Sequence, residues 1–337
     1  MNFRASDEQV MLRDSIERFG QAEAAAPPDR HLAGLIELGL FSLPVPAAAG
    51  GLDGGCDDVM VMMETIGHQL LGTPALGLNA FADLLGRHGT PSQHASWLTP
   101  AIEGRIRVAT GRMDAAAIDG GLLTGSAPFV PDGATADVIL LHGPAGVFVA
   151  RAASAGVTRS ALRLVDDSFA AALEFERVPV EAIGASPQDV EDASARAMTA
   201  AAAMAVGIME RLLSDTLAHV RTRHQFGVPI ASFQVVQHRL ARLYVSVAQC
   251  RSLVMAAALG AAKGGRDWRR MTAAAHALTI ERSMQLAHEC VQFHGGMGIT
   301  RELAVSRGHK QLMMLSRLHG SAAGSRRNFD RLSAAEA

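Results

Sequence analysis

The sequence predicts a mainly α protein with a β insert, and three observations support that fold class. Apolar residues recur with helical spacing through roughly the first hundred positions, and again in longer stretches through roughly the last 150. Between these regions, from about position 106 to about 180, apolar residues come in short runs separated by Gly, Pro and Asp. We therefore predict an N-terminal helical domain at 1–104, a middle β domain at 105–184 and a C-terminal four-helix bundle domain at 185–337.

The N-terminal domain is predicted to hold four helices. Ser6 precedes Asp7, Glu8 and Gln9 with the spacing of a capping box, and a helical apolar stripe follows. The pair Pro27-Pro28 interrupts that stripe. Further helices are expected at about 30–39, 57–71 and 75–87.

The middle domain is predicted from runs that are rich in β-branched residues and bounded by turn residues. Strands are expected at 138–141, 147–150 and 173–178. Residues 183–188 are predicted to form the linker to the last domain.

The C-terminal domain is predicted to hold four long helices with short connections, which is typical of an antiparallel bundle. The first has apolar residues every three to four positions between 198 and 220. The second is expected to start after Ser232, a residue type suited to an N-cap, and to end at Gly264-Gly265. The others are expected at about 268–293 and 303–318, followed by basic residues that form a solvated tail or meet a CoA phosphate or a partner.

Composition and charge exclude several classes of protein. The chain has 337 residues, 49% of them apolar, and a net charge of -2, whereas a nucleic-acid binder is usually strongly basic. Three scattered cysteines do not suggest a disulfide framework. The longest helix-compatible apolar run, at 199–209, is shorter than the roughly 20 residues of a spanning helix. We therefore expect a cytoplasmic protein that binds neither nucleic acid nor membrane.

Two segments at predicted helix boundaries combine glycines with cationic and amide side chains. The first contains Arg223, Gln225, Phe226, Phe233 and Gln234, and the second contains Gln292, Gly295 and Gly296. A guanidinium binds a pyrophosphate bidentately, amides suit ribose or adenine edges, and glycines let a backbone approach a ligand.

Simpler interpretations of the same residues stay open. The glycines also fit a plain helix C-cap, and the arginine also fits a solvated surface charge. No glycine-rich dinucleotide fingerprint follows a predicted strand, so a Rossmann site is not expected. His288 and Cys290 would point to different faces of a helix, so no metal site is expected either.

The two motifs, R-x-Q-F-G-x-P-I-x-x-F-Q and Q-x-x-G-G-x-G, lie about 65 residues apart in a helical tail and resemble those of the acyl-CoA dehydrogenase family. The segments SDEQVMLRDSIERF, ELGLFSLPVPAAAGGLDGG, LTGSAPFVPDGATADVILL and LEFERVPV are similar to other parts of that family. The resemblance implies a helical–β–helical subunit, FAD, an acyl-CoA substrate, a tetramer built as a dimer of dimers, and an electron-transferring flavoprotein as acceptor. It also implies that one subunit's β domain holds the flavin ring, while the neighbour's C-terminal helices hold the adenosine diphosphate end. Carried over by motif, the residues of that second half-site are Arg223, Gln225, Phe226, Phe233, Gln234, Gln292, Gly295 and Gly296.

The sequence departs from the family pattern where the chemistry is expected. The usual catalytic Glu is replaced by His319, and the Glu position of a second subfamily is Ala197. Residues 108–115 lack the Gly-Ser element of the family's flavin-contacting segment, and residues 126–132 lack its tryptophan. These losses resemble the non-catalytic type of subunit in bacterial steroid-degrading α2β2 acyl-CoA dehydrogenases.

We therefore predict a subunit that completes its partner's FAD site in the dehydrogenation of a CoA thioester, and a bulky steroid-derived thioester is one candidate. Three alternatives stay open. One is a self-sufficient homotetramer in which neutral His319 acts as the base, and another is a flavin monooxygenase on the same scaffold. The third is a helical assembly protein without flavin.

Overall fold

The computed structural model describes residues 5–23, 26–72, 74–113, 115–265, 267–300 and 302–334. The chain forms two compact units. Unit 1 comprises residues 1–25, 56–72 and 198–337, and unit 2 comprises residues 26–55 and 73–197. The three-domain boundaries at 104/105 and 184/185 stay a prediction.

The described residues confirm a mainly α chain with a β sheet in its middle. The helices are α1 Asp7–Ala22, α2 Pro28–Glu37, α3 Cys56–His68, α4 Pro74–His88, α5 Pro91–Gln93, α6 Thr99–Ile102, α7 Pro187–Thr222, α8 Gln234–Ala262, α9 Trp268–His294, α10 Ala304–Leu318 and α11 Ala322–Ala334. The strands are β1 Val108–Arg112, β2 Ala116–Asp119, β3 Leu122–Pro131, β4 Val138–Gly143, β5 Gly146–Arg151, β6 Val157–Arg163, β7 Phe169–Ile183, β8 His224–Gln225 and β9 Val228–Pro229.

In unit 1, helices α3 and α7 approach so closely that glycine is required at the contact. A Cβ atom added to Gly67 would collide with the carbonyl oxygen of Met204. One added to Gly207 would collide with the carbonyl oxygen of Glu64. Both obstacles are backbone atoms, which cannot rotate away, so the two helices would have to move apart.

Helices α7 and α9 run parallel along one another. The Thr199 and Thr272 hydroxyls lie 3.1 Å apart, the Thr216 side chain lies beside the Cys290 thiol, and the His219 and His294 rings stack. Within these three pairs the two residue numbers differ by 73, 74 and 75. Both helices therefore run in the same direction, and their C-terminal ends lie at the same level. Two segments that are far apart in sequence are thereby brought together.

Helix α8 lies antiparallel to α9. At one end Arg239 pairs with Glu289 at 2.5 Å, and at the other end Gly260 packs on Trp268. Parallel α7 and α9 with an opposed α8 follow from short connections, because consecutive helices must reverse direction.

One C-terminal expectation was wrong. Ser232 does not cap α8, because it belongs to a 3₁₀ turn in which its hydroxyl donates to the Pro229 carbonyl oxygen, and Phe233 takes the N-cap position. The basic residues after α10 are exposed to solvent, as expected, but they lie on a further helix, α11. This helix packs on α9 through the Arg326–Glu281 ion pair and the Ser325–His276 hydrogen bond.

The capping box predicted at the chain's start is confirmed. The Ser6 hydroxyl accepts from the Gln9 N–H at 3.2 Å, and the Gln9 side chain accepts from the Ser6 N–H at 3.2 Å.

Unit 2 is built on a seven-stranded sheet with the order β1-β4-β5-β7-β3-β2, in which β6 pairs with β7. Strands β1 and β4 are parallel, and the other pairs are antiparallel. The three predicted strands lie within β4, β5 and β7, whereas β1, β2, β3 and β6 were not predicted as strands from residue pattern. The buried core of this sheet includes Leu123, Ile139, Leu141, Leu173, Phe175 and Val178.

Two helices pass the length and composition criterion for a membrane span. The apolar window of α7 is 72% buried, as in a core helix, but that of α8 is only 28% buried. Helix α8 exposes Val235, Tyr244 and Val245 at 64%, 67% and 51%.

The α3–α7 contact gives a stability prediction. We expect Gly207→Ala to lower the free energy of unfolding by about 1–3 kcal/mol, because overpacking forces backbones apart. The matched control is Gly260→Ala inside α8, where an added Cβ meets Trp268 at an ordinary 3.4 Å. That change should raise stability by about 0.5–1 kcal/mol through helix propensity. Urea unfolding of both variants measures the difference, and equal effects would contradict the close contact.

Candidate functional site

The first motif forms a tight hairpin immediately after α7 ends. Strands β8 and β9 pair His224 with Pro229 and Gln225 with Val228, so the loop between them has two residues. These are Phe226 and Gly227, with φ values of 53° and 81°. Positive φ at both positions defines a type I′ turn, which Gly adopts freely but a bulky residue does not.

Phe226 is therefore held in a strained conformation and is also 92% exposed. Its ring touches the described structure edge-on at Phe233, with ring centroids 6.2 Å apart. A strained, solvent-exposed aromatic residue contributes little to the isolated fold, and such strain is typical of functional sites. The side chain is presented outward, where a ligand or a partner can cover it.

The second motif ends helix α9 with an exposed backbone. Gly295 takes a φ of 60° as the C-cap, and a 3₁₀ turn follows at Gly295–Ile299. Cβ atoms added to Gly295 or Gly296 would meet no described atom within 4 Å, whereas one on Gly298 would lie 2.7 Å from the Val291 carbonyl oxygen. Gly298 thus permits close packing on α9. Gly295 and Gly296 leave a stretch of backbone that no side chain covers, and we call it the Gly295-Gly296 ledge.

The parallel register of α7 and α9 brings the two motifs together. The His219 and His294 rings stack with centroids 4.3 Å apart, one helical turn before Arg223 and directly before Gly295. The first turns of helix α8 contact the end of α9 in the same region. The Arg239 guanidinium lies 4.7 Å from the centre of the Phe293 ring and also pairs with Glu289. All eight predicted residues lie around this end of unit 1, and all except half-buried Phe233 are exposed: Arg223, Gln225, Phe226, Phe233, Gln234, Gln292, Gly295 and Gly296.

This group fits the adenosine diphosphate end of a dinucleotide. The open ledge at Gly295-Gly296 lets a ligand approach the backbone without a side chain in the way. The Arg223 guanidinium would hold the diphosphate, and the exposed amides of Gln225, Gln234 and Gln292 offer donors and acceptors for ribose and adenine. Such a group would be open to solvent on its outer side in this chain.

Residues 108–115, which stand in place of the family's flavin-contacting segment, begin with β1 in unit 2. Thr110 is half-buried, and the Met113 N–H donates to the His142 carbonyl oxygen at 2.8 Å. A Cβ on Gly111 would lie 2.7 Å from a methyl group of Val130, so no open ledge exists here. Asp114 lies outside the described residues. The end of β1 therefore presents Arg112 beside His142, and burial, helped by the charge of Arg112, lowers the pKa of that imidazole.

The position of the family's base lies at the end of α10. His319 is half-buried and is followed by Gly320 at a φ of 103°. It lies near His276 on α9, whose side chain is fully buried and hydrogen-bonded through Nδ1 to the Ser325 hydroxyl at 2.9 Å. Burial lowers the pKa of His276 to about 3, and the charge of the nearby His319 is the second, smaller cause. Ala197 offers no carboxylate at the alternative position.

Sequence reasoning assigned no supporting role to three histidines at or near these sites, namely His219, His294 and His276. The available signal was their spacing: His219 lies four residues before Arg223, and His294 directly precedes Gly295. Which rings would meet depends on the register of α7 against α9, and periodicity does not supply that register.

Comparison with known proteins identifies the class to which this fold and site belong. Residues 6–105 match the model of the acyl-CoA dehydrogenase N-terminal domain, and residues 193–331 match that of the acyl-CoA dehydrogenase C-terminal domain. The chain belongs to the acyl-CoA dehydrogenase family.

Two relatives from Mycobacterium tuberculosis illustrate the similarity in sequence. The acyl-CoA dehydrogenase FadE34 is 30% identical over 312 residues, which are 89% of this chain but only 40% of FadE34. The chain thus spans less than half of that relative's length. FadE27 is 29% identical over 323 residues, covering 88% of this chain and 86% of FadE27.

Solved structures share the fold over almost the full chain. The ChsE4-ChsE5 complex from Mycobacterium tuberculosis matches with a TM-score of 0.89 and 26% identity, covering 99% of both chains. A Tcur3481-Tcur3483 steroid ACAD variant matches with a TM-score of 0.88 and 24% identity, covering 98% of both. A glutaryl-CoA dehydrogenase from Mycobacterium smegmatis, solved with FADH2, matches with a TM-score of 0.86 and 17% identity, covering 97% of this chain and 94% of that one.

The buried histidine gives a prediction for stability against pH. The pKa of His276 falls from 6.5 to about 3 on folding, so between these values the unfolded chain binds a proton that the folded chain excludes. The contribution of His276 to the free energy of unfolding is fully present above pH 6.5. It is lost as the pH falls below that value, by about 1.4 kcal/mol per pH unit.

Urea unfolding at pH 6, 5 and 4 measures this effect. His276→Gln should show a slope that is shallower by about 1.4 kcal/mol per pH unit than the wild-type slope. His238→Gln, which replaces an exposed histidine on α8, is the control. Equal slopes for wild type and His276→Gln would show that His276 titrates alike in the folded and unfolded chains.

Proposed function

We propose that this chain is a subunit of an FAD-dependent acyl-CoA dehydrogenase and that it completes the FAD site of a partner without supplying the catalytic base. The observation that carries the proposal is the exposed group formed by Arg223, the Phe226 turn and the Gly295-Gly296 ledge. It has the chemistry for the diphosphate and adenosine, yet it is open on the side where a second subunit would close it.

The exposed aromatic side chain supports a partner at this position. Burying a Phe side chain is worth about 1.5–3 kcal/mol, which is enough to offset the strain of about 1–3 kcal/mol in the turn. In the isolated chain Phe226 keeps that strain without the gain, because it is 92% exposed. The apolar surface of α8 would be covered in the same assembly.

The flavin-ring side of this chain supports a division of labour. FAD, when bound, accepts the hydride that leaves the β-carbon of the thioester. At the end of β1, Arg112 and His142 stand where the family's Gly-Ser element is expected, and the Met113 N–H is already bonded within the sheet. This chain therefore has few free groups there to bind a flavin ring, and the partner would provide that half-site.

The partner is proposed to be a second acyl-CoA dehydrogenase-like subunit in an α2β2 assembly. The similarity to the ChsE4-ChsE5 complex supports a heteromer. The steroid ACAD variant makes a steroid-derived CoA thioester the first substrate to test. We further propose a cytoplasmic location and an electron-transferring flavoprotein as electron acceptor, as the family resemblance implies.

One observation favours a second candidate, a homotetramer in which His319 is the base. His319 is half-buried at the end of α10, beside the buried His276 side chain, and a neutral imidazole can accept a proton. The two proposals differ in what the loss of His319 does to turnover.

Two variants in the co-purified complex separate these functions. Arg223→Ala should weaken FAD binding about 10- to 100-fold, because charged hydrogen bonds to a phosphate are lost. His319→Ala should leave kcat within about twofold of wild type. Arg242→Ala, an exposed arginine on α8, is the control for loss of a surface cation.

The contrary outcomes are equally distinct. A drop in kcat of about 100-fold or more for His319→Ala, with FAD retained, is the loss expected for a general base and would contradict a subunit that does not supply it. Unchanged FAD affinity in Arg223→Ala would overturn the half-site itself.

A further inference from the structure

The proposed half-site consists of segments from two helices, and something must fix the distance between them. Arg223 follows the end of α7, while the Gly295-Gly296 ledge follows the end of α9. Both segments are exposed, and a displacement of about 1 Å is enough to spoil binding geometry. Direct contacts between the ends of α7 and α9 therefore matter for a ligand that needs both.

The His219–His294 pair is such a contact. The two rings lie with centroids 4.3 Å apart and planes inclined by 25°, which is a stacked arrangement. It is the last of the three described pairs along the α7–α9 interface, after Thr199–Thr272 and Thr216–Cys290. Only the last turn of α7 lies between this stack and Arg223, and Gly295 follows His294 directly.

Each of the two residues is also hydrogen-bonded to backbone beside the half-site, His294 through its ring and His219 through its main-chain carbonyl. The His294 Nδ1 atom lies 2.9 Å from the Cys290 carbonyl oxygen, so Nδ1 carries the proton that is donated and the ring plane is fixed. The His219 carbonyl oxygen accepts from the Arg223 N–H at 2.9 Å. The Arg223 carbonyl oxygen in turn accepts from the Ile230 N–H at 2.8 Å, which closes the hairpin that carries Phe226.

We propose that the stacked His219 and His294 rings are positioning residues that set the spacing between Arg223 and the Gly295-Gly296 ledge, and so determine how tightly the adenosine diphosphate end of FAD is held. The inference rests on the proposed function, since it concerns the same half-site. It assigns a role to two residues that do not themselves need to touch the dinucleotide.

The chemistry of the stack defines what a substitute must retain. An aromatic ring at 219 can stack on His294 whether or not it carries nitrogen atoms, so His219→Phe should preserve the spacing. Alanine at either position removes the contact and leaves the hydrogen bonds of the backbone intact. The contribution of an aromatic pair corresponds to a change in affinity of about 3- to 10-fold.

The test is a double-mutant cycle on the co-purified complex, with its FAD removed and then titrated back by fluorescence. His219→Ala and His294→Ala should each raise the Kd for FAD about 3- to 10-fold, and the double variant should lose no more than one of them alone. His219→Phe should restore the Kd to within about twofold of wild type. The control is His288→Ala, which removes a different histidine contact on α9, the edge-on one to His309 at 5.2 Å.

Several results would overturn the inference. Positioning by the stack is contradicted if the alanine variants bind FAD like wild type. It is also contradicted if the two losses add in the double variant, or if His219→Phe binds FAD as weakly as His219→Ala. If an alanine variant fails to fold, His219→Phe and His294→Phe give the answer, because each keeps an aromatic ring at its position.

Failure of the inference is distinguishable from failure of the proposed function. Arg223→Ala is measured in the same titration. If Arg223→Ala weakens FAD binding while the histidine variants do not, only the stack is wrong. If Arg223→Ala has no effect, or the wild-type complex takes up no FAD, both proposals fail.

Discussion

The parallel packing of α7 against α9 is the constraint on which the candidate site depends. Each helix end alone offers only a few exposed polar groups. With the register fixed by Thr199–Thr272, Thr216–Cys290 and His219–His294, both ends lie at the same level of the bundle. On another side of α7, Gly67 and Gly207 let α3 and α7 meet backbone to backbone.

Several features of the candidate site support the proposal that a second subunit completes it. The type I′ turn holds Phe226 in a strained conformation and places its ring in solvent, which no isolated fold requires. Helix α8 likewise exposes apolar side chains that a partner would cover. In contrast, the end of β1 offers packed backbone where a flavin ring would need free groups. Together these features support the proposal that another subunit completes the site.

The sequence predicted the parts that depend on local pattern. The capping box at Ser6, the three β-branched runs in β4, β5 and β7, and the long C-terminal helices follow from spacing alone. Strands β3 and β6 were missed because their outer faces are exposed and carry polar residues, which weakens the apolar signal. Ser232 was assigned the wrong role because its hydroxyl bonds a turn carbonyl instead of a helix N–H.

The candidate site was predictable in its motifs but not in its supporting contacts. Arg223 and Gly295 could be singled out because their residue types suit a diphosphate. The stack of His219 on His294 and the burial of His276 depend on which helix faces meet, and one sequence does not specify that.

The most direct test of the central claim is the amount of FAD bound, measured by visible absorbance. The chain would be purified alone and together with the product of any adjacent acyl-CoA dehydrogenase gene. We predict that the chain alone is colourless and that the complex carries about one FAD per pair of chains, because the site needs one half from each subunit. One FAD per subunit in the chain alone would contradict the account, and His319 would then become the leading candidate base.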